Sequence, residues 1–261
     1  MKKLRWLVVI MLAVGVVVLI WEWRDRRLVE EVKREEVELR VAMGADIHTD
    51  VDSLEKMLVA AKGKGSSLVI LVGDLTKVGA RSELVAVRKV LDESGMRFYV
   101  VPGNHDWWNQ KTSRGAWEEI FGVKYQSFKE GGNKFILVDN GHWLGLGKEQ
   151  RQWLEGEVLE CRVVRCVVVM HMPLQHLWST HVMGEDSQAV KAEAGELVKL
   201  LVDNGVKEIY SGHLHYADSY EIGGLGTNLV GAVTRAGSQK PEFTEVVIGG
   251  GEVKKEVVGV E

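Results

Sequence analysis

The 261-residue chain is poor in cysteine, with Cys161 and Cys166 alone. Counting therefore excludes a disulfide-stapled scaffold and a four-thiolate zinc site, and any metal must be held by His, Asp, Glu or Asn. Proline is also scarce, 3 residues against 29 glycines, so the chain turns on glycine, as alternating strand and helix units do. Nor is there an excess of positive charge: 33 Lys and Arg against 37 Asp and Glu leave a formal charge of −4. That argues against nucleic acid as a partner, since a protein that grips phosphates needs a basic face. No internal repeat or low-complexity tract is present. What remains, with 46% hydrophobic and 27% charged residues, suffices for one large domain around a substantial core.

One long hydrophobic run stands out. Trp6 to Trp21 is uninterrupted, with Lys2, Lys3 and Arg5 before it and Glu22, Arg24, Asp25, Arg26 and Arg27 after it. As a helix rising about 1.5 Å per residue it covers roughly 24 Å, slightly short of a ~30 Å hydrocarbon core. Tryptophans at both ends and snorkelling arginines close the gap. The run has no polar face, unlike a surface-packed core helix, and it ends in Leu19-Ile20-Trp21-Glu22-Trp23 rather than in a small-x-small cleavage site. The expectation is an N-terminal transmembrane helix serving as a retained membrane anchor over 1–23, a charged juxtamembrane linker over 24–37 and a globular domain over 38–261. Basic residues flank the run on both sides, so the positive-inside rule does not set its orientation. The short basic start, which is how export signals begin, tips the reading toward a domain outside the cytoplasm.

From residue 38 onward apolar runs alternate with amphipathic stretches, an α/β (α+β) pattern. Strands are expected at 38–44, 67–73, 97–102, 134–139, 165–171 and 206–211, and helices at 51–63, 81–94, 114–121, 148–160 and 187–204. A strand-rich closing layer follows at 217–222, 228–234, 243–248 and 252–258. Gly249-Gly250-Gly251 leads into Glu252 and a strand, so it reads as a hairpin turn and not as a phosphate cradle. Cys161 and Cys166, at a helix end and a strand start, could pair if the domain is exported, but with no shared loop geometry evident they read as two ordinary thiols.

Polar residues cluster where these strands end, which is where open α/β sheets place ligands. The clusters are Asp46-Ile47-His48, Gly73-Asp74, Gly103-Asn104-His105-Asp106, His171 with Pro173 close behind, and Gly212-His213-Leu214-His215; they hold five of the eight histidines. In extended chain, residues two apart point to the same side, so Asp46 with His48, and His213 with His215, can each converge on one place. Seven oxygen or imidazole donors, Asp46, His48, Asp74, Asn104, His171, His213 and His215, are too many for one tetrahedral ion. They suit two divalent ions about 3.5–4 Å apart that share a carboxylate, with Asp74 the natural bridge. Two such ions, two carboxylates and a bridging hydroxide leave a charge near +1, suited to an anionic ester. Mixed nitrogen and oxygen donors favour Mn, Fe, Zn or Co.

This series of motifs resembles the calcineurin-like metallophosphoesterases, whose pattern runs D-x-H, G-D, G-N-H-D/E, H and G-H-x-H. The resemblance spans about 38 to 235, fills every core position and extends to Gln150-Arg151-Gln152-Trp153-Leu154 on the helix before the His171 strand. It implies a two-sheet β-sandwich flanked by helices, in four layers, with the catalytic domain over 38–261. It also implies that Asp46, His48, Asp74 and His215 hold one ion and Asp74, Asn104, His171 and His213 the other. His105 would face the substrate as a catalytic residue that protonates the leaving oxygen, and Asp106 would orient it through a ring nitrogen. The implied activity is hydrolysis of phosphomonoester or phosphodiester bonds by in-line attack of a metal-bridging hydroxide. Two departures are visible. Lys77 stands where purple acid phosphatases carry a ligating Tyr, and Met172 stands where the family often has a second histidine.

Around this core, His142, His176 and His181 read as exposed loop histidines, the last two close to the rim. Trp107 and Trp108 read either as an aromatic wall or as packing under the loop. The anchor suggests a lipid-linked or envelope phosphate ester as substrate, with nucleotides also compatible. From another class, a non-catalytic scaffold or docking protein of the same fold is the alternative; such chains tend to lose motif positions, and none is lost here.

Overall fold

A computed structural model describes Trp21, Trp23 and residues 38–109, 116–235 and 240–260. The expected anchor and linker lie outside the described residues apart from Trp21 and Trp23, and among the described residues no helix is long and apolar enough to cross a membrane. Two compact units are distinguished, the larger comprising residues 39–247 and 253–261. The large unit carries the fold described next.

Its first half alternates strand and helix. β1 (Leu39–Gly44), β2 (Leu68–Val72) and β3 (Phe98–Val101) pair in parallel, with Met43 opposite Ile70 and Ile70 opposite Tyr99. β2 reads Leu-Val-Ile-Leu-Val and every one of its residues is buried, the continuous apolar run of a strand covered on both faces. α1 (Val51–Gly63) starts at Asp50, whose carboxylate accepts the Ser53 backbone N–H at 3.1 Å. α2 (Arg81–Ser94) stops at Gly95, which takes φ 65°. Leu54, Met57, Leu58 and Ala61 of α1 and Leu84, Val87, Val90 and Leu91 of α2 pack on Ala42, Val69, Leu71 and Val100 of the sheet. Each fully buried aliphatic side chain contributes about 1.5–3 kcal/mol.

The second half builds another layer. α3 (Asn104–Trp107) and α4 (Ala116–Phe121) lead to β4 (Gln126–Glu130) and β5 (Asn133–Val138), then α5 (Gly147–Glu157), a 3₁₀ turn (Val158–Arg162), β6 (Cys166–Met170), α6 (Gln188–Asp203) and β7 (Glu208–Ser211). β8 (Asp218–Ile222) and β9 (Leu225–Leu229) form a hairpin on Gly223 and Gly224, both left-handed, and β10 (Glu242–Gly249) and β11 (Glu252–Gly259) close the chain. The sheets run β11-β10-β1-β2-β3 and β4-β5-β6-β7-β9-β8. β5, β6, β7 and β9 are mutually parallel, and β4 and β8 are antiparallel edges. α5 and α6 cover one face of the second sheet through Leu154, Val190, Ala194, Leu197 and Leu201 against Ile136, Val168 and Ile209. The two sheets meet where Tyr99 of β3 stacks on Phe128 of β4, ring centroids 3.7 Å apart.

Three expectations are corrected. The helix expected at 148–160 changes to a 3₁₀ turn after Glu157. The strand expected at 228–234 is β9 at 225–229, because the two-glycine turn ends at Gly224 and the following apolar residues cross to β1, with a bridge between Ala45 and Ala232. Finally, Cys161 and Cys166 are joined in a disulfide; the 3₁₀ turn and the short loop after it bring their Cα atoms to 5.3 Å, within bridging range.

Candidate metal centre

All five motif clusters sit at the C-terminal ends of parallel strands: β1, β2 and β3 of the first sheet, β6 and β7 of the second. The loops are stitched across the sheets. Asp46 N–H donates to Gly73 O at 3.1 Å, His48 N–H to Asp74 O at 3.0 Å, and His213 N–H to the Asp46 carboxylate at 3.0 Å. Among the described residues other than glycine, Asp46, His48, Thr49, Asp74, His213 and His215 have positive φ, between 46° and 71°. Five of these six are expected ligands. A left-handed conformation costs an L-residue about 1–3 kcal/mol and persists only where its surroundings fix it, typically at functional sites. The side chains therefore converge through kinks just past the strand ends, and not through the alternation of extended chain inferred from the i, i+2 spacing.

Ligand atoms of Asp46, His48 and His215 lie within 4.8 Å of one another, as do those of Asp74, His171 and His213, and those of His48, Asp74 and His105. His213 and His215 thus diverge into different groups. Asp74 stands between the groups: its Oδ2 is 3.8 Å from His48 Nε2, 3.3 Å from His171 Nε2 and 3.9 Å from His105 Nε2. Asn104 Oδ1 lies 3.1 Å from His171 Nε2. His48 Nε2 faces His215 Nε2 at 3.3 Å, and His171 Nε2 faces His213 Nδ1 at 3.3 Å. That separation is also the edge, about 3.3 Å, of a tetrahedron whose centre lies ~2.0–2.1 Å from each imidazole nitrogen, the usual metal–nitrogen distance. His171 Nδ1 donates to Val72 O at 2.8 Å, which leaves Nε2 as the free donor, the arrangement metal-binding histidines adopt. The donor set fits divalent ions with mixed nitrogen and oxygen coordination.

Backbone at two glycines makes room for this crowding. A Cβ on Gly73 (φ 82°) would collide with the His171 ring, and one on Gly103 with the Asp74 carboxylate and main-chain nitrogen. Gly103→Ala is expected to displace Asp74 and weaken any divalent-metal binding by ~10–100-fold, the usual cost of losing a ligand's support; calorimetric titration checks this.

His105 and Asp106 part company. His105 Nδ1 lies 2.7 Å from Lys77 O, and because a carbonyl only accepts, Nδ1 carries the proton and Nε2 faces the site. The expected bond from Asp106 to this ring is absent. Successive residues of a helix point about 100° apart, so with His105 facing out Asp106 turns into the protein. There it accepts from Gly103 N (2.9 Å), Thr76 N (2.9 Å), Thr76 Oγ1 (2.7 Å) and Leu75 N (3.2 Å), tying the Asp74 loop to the Asn104 loop. Nothing in the motif spacing points to Lys77 O or Thr76. Of the paired tryptophans, Trp107 is buried and donates to Asp139 Oδ1 at 3.2 Å, whereas Trp108 is exposed and lies against His105, ring centroids 3.7 Å apart and planes tilted by 31°. His181 is brought to the site, stacking on His213 at 4.0 Å with Nδ1 2.5 Å from Glu185. His176 is held by Tyr216 Oη at 3.2 Å. An open groove of about 500 Å³ lies over the donors, lined also by Ser179, His181 and Tyr216.

Burial, opposed by His171 and reinforced by Asp74, pushes the Asp46 carboxyl up to about 8, and burial followed by the Asp74 charge pushes Asp106 up to about 7. For His171 burial acts downward but is outweighed by Asp74, Asp46 and the Val72 carbonyl, raising it to about 9. Burial lowers His48 to about 4, and lowers His213 as well. Asp46, Asp106 and His171 each hold a proton more tightly folded than unfolded, so each contributes stability that is lost as pH rises toward these values. His48 and His213 act in the opposite sense, but only below the free imidazole value of about 6.5. The metal-free protein is therefore expected to melt at a lower temperature at pH 9 than at pH 7, and divalent metal, whose ligands are already deprotonated, to reduce that loss. Thermal unfolding at both pH values, with and without metal, is the check.

Comparison with known proteins agrees with this geometry. Residues 39–217 match the family described as calcineurin-like phosphoesterase. A probable glycerophosphodiester phosphodiesterase, GpdQ, of Arcobacter nitrofigilis is 23% identical over 57% of this chain and 56% of its own length. The bovine (Bos taurus) serine/threonine-protein phosphatase CPPED1 is 31% identical over 51% of this chain and 45% of its own. The chain thus spans about half the length of these curated relatives. The crystal structure of a dimetal phosphatase from Danio rerio superposes with a TM-score of 0.61 at 14% identity, covering 85% of this chain and 99% of that one, and so shares the fold. With more than half of its length matched, the chain belongs to the calcineurin-like phosphoesterase family.

Proposed function

We propose that this protein is a metal-dependent phosphoric ester hydrolase that acts on phosphomonoester or phosphodiester bonds. The observation that carries the reading is the position of Asp74: one carboxylate oxygen lies within 3.9 Å of ring nitrogens from both donor groups and of His105. Asp46, His48, Asp74 and His215 would hold one divalent ion, and Asp74, Asn104, His171 and His213 a second; Mn, Fe, Zn or Co suits such donors. When bound, the ions acidify water and offset charge on the phosphoryl oxygens. The chain's own contribution is positional. Lys77 O fixes the His105 tautomer, so Nε2 faces the groove and, when protonated, can give its proton to the departing alkoxide in line with the attack on phosphorus. Asp106 acts on this step only through the loops it ties together. The two relatives, one named as a probable diesterase and one as a phosphatase, support the class of reaction. Hydrolysis of p-nitrophenyl phosphate and bis-p-nitrophenyl phosphate by the Mn-supplemented full-length protein tests it; turnover of neither contradicts the reading.

The same proposal places the enzyme on a membrane through the run Trp6–Trp21, with the catalytic domain outside the cytoplasm. The Cys161–Cys166 disulfide supports export, since such bonds persist in oxidising compartments. In sealed vesicles of known sidedness, protease should digest the domain from the non-cytoplasmic face only.

A further inference from the structure

Beside the donor groups, and sharing Asn104, His181 and His213 with the site, lies a recess of about 200 Å³. Trp108, Trp143, Met172, Val182 and Met183 form its apolar walls. Among the described residues its acidic lining residues are Glu185, which His181 engages, and Asp186, and neither lysine nor arginine lines it. The walls are pinned together. Gln150 brackets Asp139, accepting its N–H at 2.8 Å and donating to its carbonyl at 2.7 Å. Asn140 clamps Met172 by donating to its carbonyl at 2.7 Å and accepting its N–H at 2.9 Å. Trp143 leaves this anchored loop and Met172 follows His171 directly, so the apolar surface is held in register with the donors.

We infer that this recess selects phosphate esters whose organic group is apolar, about the size of one aromatic ring, and free of negative charge. The inference rests on the phosphoesterase reading and adds the substrate class to it. A group attached to phosphorus at the donors has the recess as its neighbour, because Asn104 and His213 belong to both. An apolar cavity of ~150 Å³ takes up benzene, so a recess of this size holds a ring or a short branched chain. A second phosphate or a carboxylate would meet Asp186 and the His181-paired Glu185 with no lysine or arginine among the described lining residues to receive it, which selects against nucleoside diphosphates and other polyanions.

Non-hydrolysable phosphonates test the recess independently of turnover. Calorimetric titration of the Mn-loaded full-length protein should give benzylphosphonate at least about tenfold tighter than methylphosphonate, as expected for burying one ring, and tighter by a similar factor than (4-carboxybenzyl)phosphonate. Trp143→Ala and Met172→Ala should each reduce the benzyl-to-methyl ratio to below about threefold. Reading a ratio within each variant cancels any loss of folded or metal-loaded protein. Equal affinities for benzyl- and methylphosphonate, equal affinities for the benzyl and carboxybenzyl compounds, or a ratio unmoved by both substitutions would overturn the inference. Hydrolysis of benzyl phosphate, or of its methyl diester, is followed in parallel by phosphorus NMR. Discrimination among phosphonates without hydrolysis supports the recess and counts against the enzyme, while hydrolysis without discrimination does the reverse.

Discussion

Asp74→Asn will strip both donor groups of stoichiometric metal and lower turnover by at least ~10²–10³-fold, the cost of removing one electrostatic stabiliser from an active site. The substitution is nearly isosteric. The amide oxygen can still accept the His105 backbone N–H that Asp74 Oδ1 receives at 2.9 Å, so the α3 loop keeps its anchor. What disappears is the negative charge. His171 and His213 then retain no carboxylate partner within their group, and the group of Asp46, His48 and His215 loses the carboxylate it shares with its neighbour. Asp74 is ionised despite its burial, because His171, followed by His105 and His48, holds its carboxyl below the usual range. Metal content by mass spectrometry should fall from two ions per chain to fewer than one, with the circular dichroism spectrum unchanged. Two ions retained by Asp74→Asn would remove Asp74 from the bridging position.

His105→Ala separates chemistry from metal binding. Its Nε2 lies at the edge of the cluster and its Nδ1 is committed to Lys77 O, so its loss deletes no member of the two outer groups. Metal content should therefore stay at two ions per chain while kcat falls by ~10²–10⁴-fold, the usual contribution of a positioned general acid. The deficit should be largest for alkyl esters and smallest for esters of acidic phenols, whose leaving groups need no proton. A uniform loss across that series would assign His105 to substrate binding instead.

Much of this was legible in the chain because parallel strands buried on both faces leave continuous apolar runs, as in β2 and β6, and polar residues at their ends stand out against them. What escaped has local causes. β4 is a half-exposed edge, Gln-Ser-Phe-Lys-Glu, with no apolar run to announce it. Val230, Ala232 and Val233 look like strand but are a buried crossing: Val233 N–H donates to Ala45 O, and its side chain joins the first sheet's core. α3 is a single turn hidden in a motif, and that turn sends Asp106 away from His105. The left-handed kinks at Asp46, His48, Asp74, His213 and His215 carry no sequence mark, since the conformation usually signalled by glycine is imposed here on ligand-type residues by the loops around them. The disulfide depended on a 3₁₀ turn that periodicity does not reveal.

The central claim is that two divalent ions, held by the seven donors, are what make this chain a phosphoesterase. The most direct measurement is hydrolysis of bis-p-nitrophenyl phosphate and p-nitrophenyl phosphate by the chelator-stripped full-length protein as Mn(II) is added back, with bound metal counted at each point. The account predicts no turnover without metal, and a rate that saturates at two bound ions per chain. Turnover that persists in the stripped protein, or two bound ions with neither ester hydrolysed, would contradict it.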